Sequence, residues 1–311
     1  MKYLLAVVLL FAVCRPAPAQ TNDVDWGAML DSAQQWAQAN LDDDVLRALQ
    51  NVDRTQVEDF LKNYQVWLQG DSVLDVAQLQ TAAQTILPLL DAHPETQPYA
   101  AWLRSRLDYF AAADEMEAAL PAPKPGPVTN APVVENPTFR LEQQVWARQV
   151  APLPWPKAAV EFVPRLKPIF AGEHVPVELV WLAEVESGFD AAARSPAGAL
   201  GMFQLMPATA KDFGLSLWPR DQRSQPEVAA QAAAKYLHQL YERFGDWRLA
   251  VAAYNCGPAT VQKSLQRYQT NSYERIATHL PAETQMYVPK VEATIRHREG
   301  RELEKLRPVA E

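Results

Sequence analysis

Residues 175–209, VPVELVWLAEVESGFDAAARSPAGALGMFQLMPAT, decide the fold of this chain. Pro176 suits the first position of a helix, where its missing N–H costs nothing. The residues that follow are almost all apolar as far as Glu186. A short helix that is apolar nearly all round is a buried helix. We therefore expect a buried helix from Pro176 that ends at Glu186, just before Ser187 and Gly188.

The position of Glu186 at the end of this helix has a chemical consequence. Burial disfavours the charged form of a carboxyl group, and the negative end of the helix dipole disfavours it further. Both effects raise the pKa of Glu186. A carboxylic acid that keeps its proton near neutrality is what the general acid of a glycosidase requires. The alternative is a solvated glutamate, which is the commoner role at a helix end.

The segment after this helix combines flexible backbone with a polar side chain in apolar surroundings. Gly198 and Gly201 permit tight turns and close approach of the backbone to a ligand. Gln204 lies among apolar residues, so its amide needs a partner, which a sugar amide or hydroxyl could supply. A short hairpin around 195–205 is the only sheet that we expect, and Pro207 opens the next helix.

Four motifs occur in order: Glu186-Ser187, SPAGALGMFQLMPAT (195–209), AAYNCGP (252–258) and ETQMYVPK (283–290). Together they resemble the catalytic domain of the soluble-type lytic murein transglycosylases. The stretches VELVWLAEVESGFD (177–190) and LPAETQMYVPK (280–290) are most similar to the membrane-bound lytic transglycosylase D branch. The resemblance covers roughly residues 140–300 and nothing before them.

The resemblance implies a mainly α, lysozyme-like domain of the goose-type and SLT class, with a cleft between two lobes. It implies that Glu186 is the single general acid and base for cleavage of peptidoglycan glycan strands, with a 1,6-anhydromuramyl product formed without water. Matching positions imply a set of substrate-binding residues, namely Ser195, Gln204, Met206, Tyr254, Asn255, Glu283 and Tyr287. Three alternatives stay open: a goose-type lysozyme-like hydrolase, a non-catalytic cell-wall-binding protein and an assembly protein.

Other ionisable residues near these motifs have simpler interpretations. Asp190 could be a second catalytic carboxylate, but it matches a structural position of the family and suits a turn. Glu184 is two positions from Glu186 and points to the opposite side of the helix. His238 has no other His, Cys or carboxylate at ligand spacing, so we expect no metal. No cofactor is expected either.

The chain is long enough for two domains. Composition predicts an acidic helical N-terminal domain over 20–120 and a linker with six prolines over 121–137, typical of an extended spacer. The helical runs lie near 24–39, 43–50, 55–69, 72–91 and 96–118. The catalytic domain follows over 138–300, and 301–311 is a charged tail.

Residues 1–19 indicate export to the periplasm or cell envelope. The apolar run over 4–13 is too short to span a bilayer, and Ala17-Pro18-Ala19 fits a signal-peptide cleavage site. The alternative is a lipoprotein signal with Cys14 acylated, which would attach the protein to a membrane. After cleavage Cys256 would be the single cysteine, without a disulfide partner, and it fits a small buried apolar residue.

Charge is distributed unevenly along the chain. Residues 20–120 contain 17 acidic and 5 basic residues, a net charge of −12, whereas 121–311 carry a net charge of +2. This distribution argues against a nucleic-acid partner. It is compatible with an anionic cell-wall polymer near the catalytic domain. A protein partner of the acidic N-terminal domain is also compatible with it.

Overall fold

The structure is a computed structural model that describes residues 70, 72–74, 80–91, 97–120, 124–125, 132–133, 136–195 and 197–309. The signal peptide and the helical runs predicted near 24–39, 43–50 and 55–69 lie outside these residues. Most described residues are helical, which confirms the predicted mainly α class. None of the described helices is both long and apolar enough to cross a membrane.

The described α-helices are α1 Gln80–Asp91, α2 Gln97–Arg104, α3 Leu107–Ala119, α4 Phe139–Val150, α5 Lys157–Gly172, α6 Leu182–Ser187, α7 Pro207–Asp212, α8 Pro226–Phe244, α9 Trp247–Cys256, α10 Pro258–Arg267 and α11 Ala282–Glu299. Short 3₁₀ helices lie between them at Val177–Trp181, Gln222–Ser224, Ala277–His279 and Leu303–Lys305. Proline at the first turn opens α7, α8 and α10, as proline-initiated helices do.

The helix that was predicted from Pro176 is built in two parts. Pro176 has an extended backbone and precedes a 3₁₀ segment, and only the last turn and a half is the α-helix α6. Gly188 ends α6 in the left-handed conformation, with φ of 64°, where glycine has no steric cost. The predicted burial holds, because Leu179, Val180 and Trp181 are fully buried.

A large apolar core holds this segment between other helices. Helix α5 packs against α8 and against the 3₁₀ helix Val177–Trp181. No helix was predicted in the proline-rich stretch before Pro176, where α5 lies. Helix α5 contains Pro164 and Pro168, each of which removes a backbone hydrogen bond, and the packing of α5 against α8 offsets this cost.

A second core joins the N-terminal helices to α4 and α11. Helix α3 packs against α4, and α4 packs against α11. Trp146 of α4 is fully buried and meets Tyr109 of α3 edge to face at 5.2 Å. Lys290 of α11 donates hydrogen bonds to Asp108 and to the carbonyl of Ser105. The division into domains at 121–137 remains a prediction, and a shared core crosses it.

Three local features differ from expectation. The run over 96–118 is interrupted between α2 and α3, where the Ser105 hydroxyl donates to the Trp102 carbonyl and competes with the helix. The proline-rich linker includes a two-residue antiparallel pairing of β1 Lys124–Pro125 with β2 Pro132–Val133. The tail is not simply solvated, because Leu303 and Leu306 are buried in the main core.

The predicted hairpin around 195–205 is present as two isolated bridges, Arg194 to Leu200 and Leu200 to Leu205. Arg223 anchors this segment from outside by donating to the carbonyls of Gly198 and Leu205, at 2.8 and 2.9 Å. Its guanidinium is also paired with Asp221. We call residues 194–206, without Pro196, the Gln204 wall.

Gly201→Ala is expected to destabilise the protein strongly. Gly201 has a φ of +85°, and a Cβ there would lie 2.0 Å from the backbone oxygen of Arg223. Backbone strain and overpacking together should lower the free energy of unfolding by about 3 kcal/mol or more. Urea unfolding measures this loss. Gly198→Ala is the matched control, since its φ is +90° but nothing lies within 4 Å, so a loss near 1 kcal/mol is expected. Equal losses in the two variants would contradict the steric explanation.

Candidate active site

Glu186 lies in the last turn of α6 and is only 4% exposed. Among the described residues, Tyr287 and Arg106 form side-chain hydrogen bonds with its carboxyl group. The Tyr287 hydroxyl of α11 donates to Oε1 at 2.6 Å, and Nη2 of Arg106 lies 3.3 Å from Oε2. Nη1 of Arg106 donates to the backbone oxygen of Glu186 at 2.6 Å. The residue is therefore held at both its side chain and its main chain.

The pKa of the Glu186 carboxyl is raised above its ordinary value. Burial is the main cause, because it penalises the charged form. The Arg106 charge and the Tyr287 hydrogen bond act in the opposite direction, and the Glu283 charge raises the pKa further. With its pKa raised by burial and partly lowered by Arg106 and Tyr287, the Glu186 carboxyl can keep its proton at higher pH than a solvated glutamate. It can still release that proton to a substrate.

Tyr254 and Tyr287 lie on two different helices beside this carboxyl group. The Tyr254 hydroxyl, at the end of α9, donates to the backbone oxygen of Phe203 at 2.7 Å, so it joins α9 to the Gln204 wall. Burial and the nearby Glu186 charge raise the pKa of both phenols well above the ordinary value. Both hydroxyls therefore stay protonated and serve as hydrogen-bond donors.

Gln204 has an unusual backbone and an incompletely used side chain. Its φ is 46°, an uncommon conformation for a residue with a Cβ. Its Nε2 donates to the carbonyls of Ala193 and Gly201, at 3.0 and 2.8 Å. Its buried Oε1 accepts no hydrogen bond from the described residues. A buried acceptor of this kind is costly unless a ligand or water completes it.

The other residues of the predicted substrate-binding set surround these groups with differing contacts. Ser195 is buried, and its Oγ accepts a hydrogen bond from the Ala199 amide at 2.9 Å. Met206, at the end of the Gln204 wall, is 38% exposed. Asn255 accepts at Oδ1 from the Thr284 hydroxyl at 2.6 Å. Glu283 lies 3.7 Å from Arg106 and so belongs to the surroundings of Glu186.

The remaining carboxylates near α6 are engaged elsewhere. Asp190 accepts from the Ala192 amide at 2.7 Å, which is a turn interaction. Glu184 pairs with Arg298, on the other side of α6. Glu178 lies 3.9 Å from Arg301. None of these three carboxylates has a described contact with the Glu186 side chain.

His238 and Cys256 have side chains of the types that bind metals or react as nucleophiles. His238 lies 3.5 Å from Glu242 on the same helix, and no group of three metal-ligating side chains occurs among the described residues. Cys256, at the end of α9, is half-buried, and its Sγ donates to the Ala252 carbonyl at 3.2 Å. Burial raises the pKa of this thiol to about 11.

Arg106 is the neighbour of Glu186 that sequence analysis missed. It lies between α2 and α3, eighty positions before Glu186, in a region where no catalytic constellation was recognised. Nothing in its local sequence distinguishes it from the other basic residues of 20–120. A buried carboxyl group does call for a cation or hydrogen-bond donors nearby. That requirement predicts a partner, but not which residue supplies it.

Comparison with known proteins agrees with the resemblance seen in the sequence. Residues 170–277 match the family model of the transglycosylase SLT domain. The match includes Glu186, the Gln204 wall and Tyr254, but it ends before Glu283 and Tyr287.

Among individual proteins, the chain is 39% identical over 122 residues to membrane-bound lytic murein transglycosylase D of Escherichia coli K12. That match covers 38% of this chain and 27% of the E. coli protein, so the chain spans about a quarter of this relative's length. A putative tributyltin chloride resistance protein of an Alteromonas species is 33% identical over 117 residues, with coverages of 37% and 56%. The solved lytic transglycosylase Slt of Pseudomonas aeruginosa is 20% identical, with a TM-score of 0.43, over 100% of this chain and 52% of that one.

Proposed function

We propose that this protein is a lytic murein transglycosylase that cleaves the bond between N-acetylmuramic acid and N-acetylglucosamine in peptidoglycan. One observation carries the proposal: a buried Glu186 with a raised pKa lies within the SLT domain, hydrogen-bonded to Tyr287 and close to the Gln204 wall. The matched E. coli protein is named as a membrane-bound lytic murein transglycosylase, and the proposed substrate class follows from that name.

In the first step, protonated Glu186 donates its proton to the glycosidic oxygen as the bond to the muramyl anomeric carbon breaks. The raised pKa supports this role, because it keeps the acid form populated at higher pH. Positive charge develops on the anomeric carbon. The conjugate base left on Glu186 is stabilised by the Tyr287 hydroxyl and by the Arg106 cation.

In the second step, the muramyl 6-hydroxyl attacks the anomeric carbon, and Glu186 removes its proton. The product is a 1,6-anhydromuramyl end, and no water is consumed. A single group that first gives and then takes a proton is ordinary acid–base chemistry. Asp190, Glu184 and Glu178 are engaged elsewhere, and we propose that the substrate's own 2-acetamido oxygen stabilises the positive charge in place of a second carboxylate.

The substrate-binding residues are proposed from the same geometry. The free Oε1 of Gln204 is an acceptor for an acetamido N–H or a sugar hydroxyl. Tyr254 and Asn255 end α9 beside the Gln204 wall, and the exposed Met206 offers an apolar surface to a sugar ring. Ser195 shapes the wall through its hydrogen bond to Ala199. Glu283 and Tyr287 complete the opposite side from α11. The mechanism uses no metal or cofactor.

The substrate places the proposed activity in the cell envelope. Export through the sequence over 1–19 fits this location, with lipid attachment at Cys14 as the alternative. Export and lipid attachment are parts of the proposal, and so is a protein partner for the acidic N-terminal region.

Mass analysis of the muropeptides released from purified cell wall tests the reaction. A lytic transglycosylase leaves 1,6-anhydromuramyl ends, which are lighter by one water molecule than the reducing ends left by a hydrolase. We expect anhydro ends to dominate from the start of the digestion. Reducing ends alone would assign the protein to the goose-type lysozyme-like hydrolases. Binding of the wall without release of muropeptides would identify a non-catalytic cell-wall-binding protein.

A further inference from the structure

The junction between α2 and α3 contacts the end of α6 through side chains that come from outside the matched SLT domain. Arg106 donates from Nη1 to the backbone oxygen of Glu186, and the Ser105 hydroxyl lies 3.3 Å from the same oxygen. This oxygen is at a helix end, where carbonyl groups lack partners within the helix. The arginine side chain is only 6% exposed, so solvent does little to screen these contacts.

The Arg106 cation also lies between two carboxyl groups. Its Nη2 is 3.3 Å from Oε2 of Glu186 and 3.7 Å from Oε1 of Glu283. When Glu186 carries a proton, the charges of Arg106 and Glu283 balance each other. When Glu186 has given its proton away, Arg106 is the cation beside the new carboxylate. The arrangement therefore suits both protonation states that the proposed mechanism needs.

The surroundings of Arg106 fix its position. The guanidinium lies over the Trp102 ring at 5.4 Å, a cation–π distance. Nη1 also donates to the Ser105 hydroxyl at 2.7 Å. The second core, which joins α3 to α4 and α11, holds the whole junction against the catalytic part. A planar guanidinium held at several points orients its neighbour more rigidly than a lysine could.

We propose that Arg106 is a positioning residue of the active site, which fixes the end of α6 and stabilises the Glu186 carboxylate after the proton has left. The proposal rests on the proposed function, because it assigns Arg106 a part in the reaction of Glu186. It makes the segment before residue 121 a component of the active site. The catalytic arrangement is then incomplete in the matched SLT domain alone.

Several other groups act on the same carboxyl and must be considered in any pH experiment. Tyr287 and Glu283 face Glu186 from α11, Tyr254 faces it from α9, and Tyr109 from α3 is close enough to feel its charge. The tyrosines stay neutral over the working range. Glu283 is the one other member of this group that bears a charge, and its effect opposes that of Arg106.

The test is an NMR titration of Glu186 in the full-length protein, together with the pH profile of wall cleavage. In Arg106→Gln the pKa of Glu186 should rise by about one pH unit, because an opposite charge at this range lowers a carboxyl pKa by about 1–3 units. The alkaline limb of the pH profile should move in the same direction. The kcat should fall about 10- to 100-fold with KM nearly unchanged, as expected when a catalytic group is misplaced.

Two further variants make the result specific. Arg106→Lys keeps the cation but cannot bond the carboxyl and the backbone oxygen as a fork. In Arg106→Lys the pKa of Glu186 should return to its wild-type value, whereas kcat should remain about tenfold below that of the wild type. Arg104→Gln removes a nearby arginine that pairs with Asp91 at the surface, and it should behave as wild type.

An unchanged Glu186 titration and an unchanged pH profile in Arg106→Gln would overturn the proposal. If that variant does not fold, as judged by circular dichroism, Arg106→Lys decides. Wild-type kcat in the lysine variant would overturn the role of the fork, and a lowered kcat on an intact fold would support it. Failure of the proposed function is seen separately, as activity that survives in Glu186→Gln, whereas the titration of Glu186 needs no activity.

Discussion

Glu186→Gln is expected to abolish the release of muropeptides from purified cell wall, with a fall in kcat of about a thousandfold. Glutamine has the size of glutamate and can still accept from the Tyr287 hydroxyl, but it has no proton to give to a glycosidic oxygen. General acid–base catalysis by one residue contributes about 10²- to 10⁴-fold, and in the proposed mechanism the same group serves two steps. The rate of anhydromuropeptide formation measures the effect.

The Gln variant should keep its fold, because the bond from Arg106 to the backbone oxygen is retained. It should also change how stability depends on pH. The pKa of Glu186 is higher in the folded than in the unfolded protein, so the folded state binds the proton more tightly. Stability therefore falls as pH rises from the unfolded-state pKa through the folded-state pKa. Glu186→Gln has no carboxyl group at this position, so this contribution to the loss of stability at higher pH should be absent from the variant.

Glu184→Gln is the matched control on the same helix. Glu184 pairs with Arg298 and has no contact with Glu186, so its loss should leave wall cleavage nearly unchanged. If Glu186→Gln retained more than about a hundredth of wild-type activity, the assignment of the acid would be wrong. Equal loss of activity in both variants would point to a general effect on α6 and not to the chemistry of one carboxyl group.

Removal of residues 1–120 is expected to destroy the catalytic part of the protein as well. The second core would lose α3, and fully buried side chains of α4 and α11 would be exposed, among them Val145, Trp146 and Met286. Exposure of a large apolar side chain costs about 1.5–3 kcal/mol. The total loss would equal much of the stability of an ordinary domain. Thermal unfolding and wall cleavage of the 121–311 fragment measure this directly.

Single substitutions in α3 test the same packing with a smaller expected loss of stability. Phe110→Ala empties a position that is 1% exposed in α3, and it should lower the free energy of unfolding by about 3–5 kcal/mol. Asp114→Ala on the same helix is exposed and should change stability by less than about 0.5 kcal/mol. A 121–311 fragment that melts cooperatively like the full chain and cleaves wall fully would contradict the shared core. It would then favour an independent N-terminal domain with an adaptor role.

Most of what positions Glu186 could be predicted from local sequence. The mostly apolar residues before it predicted a buried segment, and Gly188 marked the end of the helix. Pro207 marked a helix start, because proline fits the first turn. These signals work because they depend on neighbours in sequence. They do not depend on which distant part of the chain packs against them.

The features that sequence reasoning missed depend on long-range packing. Arg106 gains its role only because a core formed by three distant segments brings α3 to α11 and sets the junction beside α6. Leu303 and Leu306 lie in a charged stretch, where two leucines gave no periodic pattern, yet the main core buries both. Helix α5 was missed because proline usually ends a helix, and burial against α8 outweighs that preference here.

The high pKa of Cys256 has a practical consequence for work with the protein. Disulfide exchange and most alkylating reagents attack the thiolate, and with a pKa of about 11 only about one thiol in ten thousand is ionised at neutral pH. The half-buried sulfur is also engaged with the Ala252 carbonyl. Purification without reducing agents should therefore leave this cysteine unmodified, and intermolecular cross-links through it should form slowly. At the proposed location in the cell envelope, such a thiol would pass through an oxidising compartment undamaged.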